Sequence, residues 1–118
     1  MEGTREEADP DVSVILPALN EEGSIETCIR KIRDVFRDLD LRGEIIISDS
    51  SDDRTADIAR GLGVRVVHPE YRGYGCAYHE GFRHVRGKYV VIGDADNTYD
   101  FSEIPLFLAE LEKGADMV

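Results

Sequence analysis

Two aspartates, Asp94 and Asp96, stand one residue apart directly after an apolar run, Tyr89 to Ile92. Carboxylates at this spacing repel each other unless a positive charge lies between them, and a divalent cation that prefers oxygen ligands meets that need. Such a cation is often shared with substrate phosphates. A solvated acidic turn after a strand is the alternative, because a pattern of two aspartates is short and common. The pair alone does not decide between a metal site and a turn.

The bulk composition narrows the class of protein. The chain has 118 residues, 42% of them hydrophobic and only four of them prolines, which indicates one ordered domain or part of one. The net charge of −11 disfavours binding to nucleic acid phosphates or anionic lipid. The sequence contains no apolar run near the ~18 residues of a bilayer span, and its N-terminus is acidic, unlike a signal peptide. We therefore expect a soluble, cytoplasmic chain without a nucleic acid partner.

Strand and helix patterns alternate along the chain. Short apolar, often β-branched runs are typical of strands, and they occur at residues 12–16, 44–48, 64–68 and 89–93. Helical spacing follows each of them, at residues 25–39, 56–60, 76–85 and 103–113. This order predicts an α/β fold with a mostly parallel sheet and helices on both faces. Residues 1–11 are predicted to be a mobile acidic tail. Residues 115–118 resemble the first half of another strand, so we expect the 12–118 domain to be truncated.

In such a sheet, ligands bind beyond the carboxyl ends of the strands. The polar or loop residues that follow the predicted strands are Pro17, Asn20, Glu21, Ser48, Asp49, Ser51, His68, Arg72, Asp94 and Asp96. Their convergence favours a metal at Asp96 and Asp94 that neutralises a diphosphate, with Asp49 or Glu21 accepting hydrogen bonds from a ribose or base. Arg72 is either a phosphate contact or a plain surface charge. No G-x-G-x-x-G or G-x-x-x-x-G-K-[ST] pattern follows the first strand, which excludes the common dinucleotide and P-loop folds.

Several stretches together resemble the family 2 glycosyltransferases with the GT-A fold. The stretches are VSVILPALNEE at residues 12–22, DSSDDRT at 49–55, RGYGCA at 72–77 and DAD at 94–96. They occur in the family's order, and the resemblance covers the chain after residue 11. RGYG and the stretch DADNTYDF at 94–101 are most similar to the polyprenyl-phosphate hexose synthases of the dolichyl-phosphate mannose or glucose type.

The resemblance implies the donor-binding half of a Rossmann-like nucleotide-diphospho-sugar transferase, acting at the cytoplasmic face of a membrane. It implies metal-dependent transfer of a hexose, with inversion, from a UDP- or GDP-sugar to an acceptor such as polyprenyl or dolichyl phosphate. In this reading Asp49 contacts the base or ribose, Asp94 lies near the ribose and sugar, and Asp96 holds Mg²⁺ or Mn²⁺. The resemblance and the positions at the strand ends together give seven candidate nucleotide-sugar contacts, which are Pro17, Leu19, Glu21, Asp49, Ser51, Arg72 and Asp94.

Four positions depart from the family's pattern. Ser48 and Ser50 stand where Asp and Gly are frequent, Tyr74 stands where Lys is common, and Thr98 stands where Gln often follows the aspartate pair. Two alternatives to an active transferase stay open. One is a half-domain that binds the nucleotide sugar but is inactive alone, and the other is a non-enzymatic α/β interaction module with a solvated acidic edge.

Overall fold

Strands and helices alternate throughout the part of the chain that the computed structural model describes, residues 10–95 and 101–117. The elements are β1 (Val12–Ala18), α1 (Ile25–Asp38), β2 (Gly43–Asp49), α2 (Thr55–Gly61), β3 (Arg65–Val67), α3 (Tyr74–Phe82), β4 (Tyr89–Ile92), a 3₁₀ turn (Phe101–Glu103) and α4 (Ile104–Glu112). The predicted order of elements is confirmed. The predictions for Asp96 and Thr98, and those for tail residues 1–9, lie outside the described residues.

The sheet is parallel and has the strand order β3-β2-β1-β4. β1 pairs with β2 from Val12↔Gly43 to Ala18↔Asp49, and with β4 on its other side. The chain therefore builds outward from β1 to β3 and then crosses back to place β4 beside β1. Reversal of the strand order opens a crevice at the carboxyl ends of the two strands between which it occurs. Here these strands are β1 and β4. Ligands of α/β proteins bind in such crevices.

The two faces of the sheet are covered by different helices. Val14 and Leu16 of β1 and Ile47 of β2 belong to one buried core with the apolar side of α1. Ile15 points to the opposite face because side chains alternate along a strand. There it meets α3 at Gly81, where an added Cβ would lie 2.5 Å from Ile15 Cγ2. The predicted arrangement, with helices on both faces of a parallel sheet, is confirmed.

Helix α1 is the main cover of the first face. Its fully or almost fully buried residues recur at helical spacing, as the sequence predicts, and are Ile25, Cys28, Ile29, Ile32 and Phe36. Each buried aliphatic side chain of this size contributes roughly 1.5–3 kcal/mol to the free energy of unfolding. Cys28, the one cysteine among them, is completely buried. Because α1 starts just after β1, its N-terminus lies at the carboxyl edge of the sheet.

Some predicted boundaries are wrong. Helix α3 starts at Tyr74 and ends at Phe82, rather than running from 76 to 85. It ends early because the chain turns back toward β1, where the Gly87 N–H donates to the Ser13 hydroxyl at 2.8 Å. Residues 115–117 form no strand in the described structure.

Two further observations concern the ends of the predicted domain and its relation to membranes. Asp11, predicted to be the last residue of the tail, is tied to the sheet: its carbonyl accepts the Tyr89 N–H at 3.1 Å, and its carboxylate accepts the Arg42 N–H at 3.0 Å. None of the helices within residues 10–95 and 101–117 combines the length and the apolar character that a bilayer span requires.

Candidate functional site

A cleft opens at the carboxyl edge of the sheet, where β1, β2 and β4 end and α3 begins. Its lining comes from the end of β1, four loops and the first turn of α3, and consists of Pro17, Ala18, Leu19, Glu21, Ser50, Arg72, Gly73, Tyr74, Ala77, Asp94 and Ala95. Five of the seven candidate nucleotide-sugar contacts predicted from the sequence meet here, namely Pro17, Leu19, Glu21, Arg72 and Asp94. The cleft lies at the crevice between β1 and β4 that the strand order creates.

The loops after β1 and β2 are joined by side chains. The Asn20 N–H donates to the Ser51 hydroxyl at 2.7 Å, and the Asn20 side-chain oxygen accepts the Asp52 N–H at 2.9 Å. Asn20 has a φ of 56°, a left-handed conformation that asparagine adopts more easily than most residues. Ser51 is not among the residues that line the cleft. The structure gives Ser51 a role in holding the β1 loop, and its contact with a ligand stays a prediction.

A second connection explains the aspartate and threonine of the DSSDDRT stretch. Thr55 is completely buried, and its hydroxyl accepts the Glu21 N–H at 2.8 Å. The Asp53 carboxylate accepts the Thr55 N–H at 2.9 Å, the Thr55 hydroxyl, and the Glu22 N–H at 3.3 Å. Desolvation acts to raise the pKa of Asp53, but these hydrogen bonds outweigh it, and the pKa lies below its ordinary value. Asp53 therefore fixes the backbone that carries Glu21 into the cleft.

The backbone of Asp94 and Ala95 is held by helix α1. The Ser24 hydroxyl donates to the Ala95 carbonyl at 2.9 Å, and the Cys28 thiol lies 3.7 Å from the Asp94 carbonyl oxygen. Ser24 occupies the N-cap position of α1, but its side chain makes no capping bond to the helix in the described structure. The sequence did not reveal its contact with Ala95, because nothing in a local pattern indicates a partner 71 residues away.

Asp49 is the last residue of β2 and is only 3% exposed. It is not among the lining residues of the cleft, and its Oδ1 atom is buried without a hydrogen-bond partner in the described part of the chain. A buried carboxylate oxygen without a partner is costly, and a donor from a ligand would offset that cost. The predicted contact of Asp49 with a base or ribose remains a prediction.

His68 orients the end of β2, which the sequence did not reveal. Its Nε2 lies 2.8 Å from an Arg60 nitrogen, and its Nδ1 lies 3.0 Å from the Asp49 carbonyl oxygen. A guanidinium can only donate, so Nε2 is the acceptor and Nδ1 carries the proton that is donated to Asp49. The same Nδ1 is 3.7 Å from the Asp49 carboxylate. The His68 side chain is half exposed and connects α2 with β2.

Arg72 lines the cleft and forms an ion pair with Asp52 at 2.9 Å. Both side chains are well exposed, so the pair contributes little to stability, about 0–1 kcal/mol. Its effect is to connect the loop before α3 with the loop after β2. Both interpretations of Arg72, a phosphate contact and a surface charge, are compatible with this position.

The cleft offers oxygen ligands suited to a hard divalent cation. Asp94 and Glu21 both line the cleft, and carboxylates are the ligands that Mg²⁺ and Mn²⁺ prefer. Within the described ranges, no three acidic, histidine or cysteine side chains form a complete metal cage. Magnesium-type sites usually combine one or two carboxylates with substrate phosphates. The residues present fit a cation that is shared with a phosphate ligand.

The chain belongs to the Glycosyl transferase family 2, which residues 13–118 match. Over 109 residues it is 47% identical to the low-salt glycan biosynthesis hexosyltransferase Agl6 of Haloferax volcanii, covering 92% of this chain and 26% of that protein. It is 37% identical to the dolichyl-phosphate hexose transferase of the same organism, covering 92% of this chain and 46% of that protein. The chain thus spans less than half the length of these relatives. The predicted resemblance to family 2, and to its polyprenyl-phosphate branch, is confirmed.

Solved structures with the same fold include glucosyl-3-phosphoglycerate synthase from Mycobacterium tuberculosis. Its complex with Mn²⁺, UDP-glucose and phosphoglyceric acid has a TM-score of 0.75 and 32% identity, over 93% of this chain and 42% of that one. Its complex with Mn²⁺, UDP and glucosyl-3-phosphoglycerate has a TM-score of 0.73 and 32% identity, over 94% of this chain and 43% of that one. The predicted Rossmann-like GT-A fold is confirmed.

Proposed function

We propose that this chain is the donor-binding part of a hexosyltransferase that uses an NDP-sugar, a divalent cation and a polyprenyl-phosphate acceptor. The observation that carries the proposal is the meeting of Pro17, Leu19, Glu21, Arg72 and Asp94 in one cleft at the β1–β4 crevice. Family membership supports the reaction class. The name of the dolichyl-phosphate hexose transferase supports the acceptor, and a lipid acceptor favours a reaction at a membrane surface.

The charges in the cleft suggest how the donor lies. Pro17 and Leu19 form an apolar wall at the end of β1, suited to a nucleoside, whereas Asp94 follows β4 on the neighbouring strand. We place the diphosphate at the Asp94 side of the cleft, which Arg72 also lines. UDP is the first nucleotide to test, because the synthase structures with the same fold contain UDP.

Asp94 and Asp96 are the proposed ligands of Mg²⁺ or Mn²⁺, and Asp96 lies outside the described residues. When bound, a divalent cation neutralises charge on the departing diphosphate. Ser24 contributes by holding the Ala95 carbonyl, which limits movement of the backbone beside Asp94. A lipid phosphate acceptor is already anionic and needs no strong general base for attack with inversion. Manganese in the synthase complexes supports a divalent cation and does not distinguish Mg²⁺ from Mn²⁺.

Isothermal titration with UDP and GDP, with and without Mn²⁺, tests donor binding. We expect binding of one nucleotide that depends on the cation, and we expect Asp96→Ala to abolish that dependence. Asp38→Ala is a matched control because Asp38 is exposed at the far end of α1. If the wild-type chain binds neither nucleotide in a cation-dependent way, the proposal is wrong and an interaction module is the better reading.

A binding unit that does not turn over by itself is the second candidate. The observation that favours it is that the chain spans 26% of Agl6 and 46% of the dolichyl-phosphate hexose transferase. Incubation with UDP-glucose, Mn²⁺ and dolichyl phosphate distinguishes the candidates. Release of UDP with formation of glycosylated lipid supports transfer by this chain itself, whereas tight UDP binding without product supports the binding unit.

A further inference from the structure

We propose that Tyr74 is a stacking platform for the nucleobase of the donor, and that this ring sets the preference of the cleft for a nucleotide over a bare diphosphate. The proposal rests on the proposed function, because it assumes that the cleft holds a nucleotide diphosphate. Its basis is the position and exposure of the Tyr74 ring and its stacking on a second aromatic ring.

Tyr74 is the first residue of α3, lines the cleft and is 65% exposed. Its ring is backed by the ring of Tyr78, with centroids 6.3 Å apart and an angle of 25° between the planes. These values fall within the offset-stacked range of aromatic pairs. The two tyrosines are four residues apart and therefore lie on the same side of the helix. Tyr74 thus presents an aromatic surface at the cleft, and its ring stacks on that of Tyr78.

The backbone around Tyr74 is fixed rather than free. Gly73 has a φ of +119°, a conformation that favours glycine, and it turns the chain directly into α3. Arg72 is paired with Asp52 of the neighbouring loop, and Ala77, one turn into the helix, is 5% exposed. A side chain on the first turn of a packed helix is positioned more reproducibly than one on a loop. The ring is therefore presented before a ligand arrives.

The position of the Tyr74 ring along the sheet edge favours contact with the base of the donor rather than with its hexose. Helix α3 packs over β1 and β2, whereas Asp94 follows β4 on the other side of β1. With the diphosphate at Asp94, one end of the donor extends along the β1 loop toward Tyr74. That end of the cleft has the apolar side chains of Pro17 and Leu19 beside the aromatic ring. Such walls suit a planar base, whereas the hydroxyl groups of a hexose need hydrogen-bond partners.

The test is isothermal titration in Mn²⁺ with whichever of UDP and GDP the wild-type chain binds, and separately with inorganic pyrophosphate, which lacks a base. Loss of one base–aromatic stack corresponds to about 5- to 150-fold in affinity. We expect Tyr74→Ala to weaken nucleotide binding by that factor, with pyrophosphate binding unchanged, and Tyr74→Phe to remain within about twofold of wild type. Tyr71→Ala is the matched control, since Tyr71 is 67% exposed nearby but does not line the cleft.

The outcomes separate this inference from the proposed function. If the wild type binds nucleotide and Tyr74→Ala binds it equally well, the stacking role is wrong and the proposed function stands. Equal losses of nucleotide and pyrophosphate affinity in Tyr74→Ala would indicate a structural role and would overturn the stacking role. A Tyr74→Phe variant that binds nucleotide as weakly as Tyr74→Ala would also overturn the stacking role. If the wild type binds neither ligand with Mn²⁺, both proposals fail together.

Discussion

The hydroxyl of Ser24 donates a hydrogen bond to the backbone carbonyl of Ala95 at 2.9 Å, joining the start of α1 to the loop after β4. Ala95 is 1% exposed, so this bond is shielded from competing water. The residue before it, Asp94, borders the cleft, and its carbonyl lies near the Cys28 thiol of the same helix. The backbone beside Asp94, one of the two proposed metal ligands, is thus attached to α1, the helix that covers most of the core. A distortion of α1 would therefore move Asp94.

Ser24→Ala should weaken cation-dependent UDP binding while leaving the fold intact. A neutral hydrogen bond contributes about 0.5–1.5 kcal/mol, which corresponds to roughly a 2- to 10-fold loss of affinity if the bond serves mainly to position Asp94. Ser24→Thr keeps a hydroxyl and should retain most of the affinity. Isothermal titration gives the affinities, and circular dichroism confirms the fold. Wild-type affinity in Ser24→Ala would show that the loop needs no such support.

Asp53 should stabilise the fold at neutral pH and lose that effect in acid. Its pKa in the folded chain lies below the ordinary value of about 4, because Thr55 and Glu22 donate hydrogen bonds to it. A depressed carboxyl pKa contributes stability that is present above the ordinary value and is lost as the pH falls through the folded value. Urea unfolding of wild type and Asp53→Asn should therefore differ at pH 7 and converge below about pH 4. A difference that stays constant into acid would contradict the assignment.

Gly81→Ala should destabilise the chain by about 1–3 kcal/mol, the usual cost of overpacking. The added methyl group would lie 2.5 Å from Ile15 Cγ2, so α3 would have to move away from the sheet. Gly75→Ala in the same helix is the matched control, because nothing lies within 4 Å of an added Cβ there. The control should be neutral or stabilising, since alanine has the higher helix propensity. Urea unfolding measures both, and equal stability of the two variants would contradict the packing described.

His68→Ala should weaken nucleotide binding about 2- to 10-fold if Asp49 contacts the nucleoside, because the variant removes the donor that orients the Asp49 carbonyl. His68→Asn places a side-chain N–H where Nδ1 stands and should recover part of the loss. His79→Ala, at an exposed position on α3, should have no effect. Titration with UDP and Mn²⁺ compares the three variants. Unchanged nucleotide affinity in His68→Ala would show that the contact between His68 and Asp49 does not contribute to nucleotide binding.

The sequence predicts the class of fold because each strand is a short apolar run, closed by polar or turn residues, with a helical pattern after it. The general rule for parallel sheets then brings Glu21, Arg72 and Asp94 to one edge without any knowledge of strand order. The same rule fails to separate residues within a loop. Asp49 pairs with Ala18 in the last rung of the sheet, so it is buried in β2 instead of lining the cleft.

Contacts between distant parts of the chain were beyond the reach of the sequence. The Ser24–Ala95 bond spans 71 residues and the His68–Asp49 bond spans 19. Both depend on how α1, β2 and β3 pack, which local spacing does not encode. Tyr74 is a related case. The sequence shows that Tyr74 stands where the family commonly has a lysine. Its place on the first turn of α3, stacked on Tyr78, depends on where the helix begins.

The most direct test of the central claim is to locate Mn²⁺–UDP on the chain by paramagnetic broadening of backbone amide signals in ¹H–¹⁵N spectra. With Mn²⁺ and UDP together, we predict broadening at Leu19, Glu21 and Asp94, and sharp signals near Asp38 at the far end of α1. Mn²⁺ alone should broaden the cleft signals much less, because the phosphates complete the coordination. Broadening that is independent of UDP, or that centres on a surface away from the carboxyl edge of the sheet, would contradict the account.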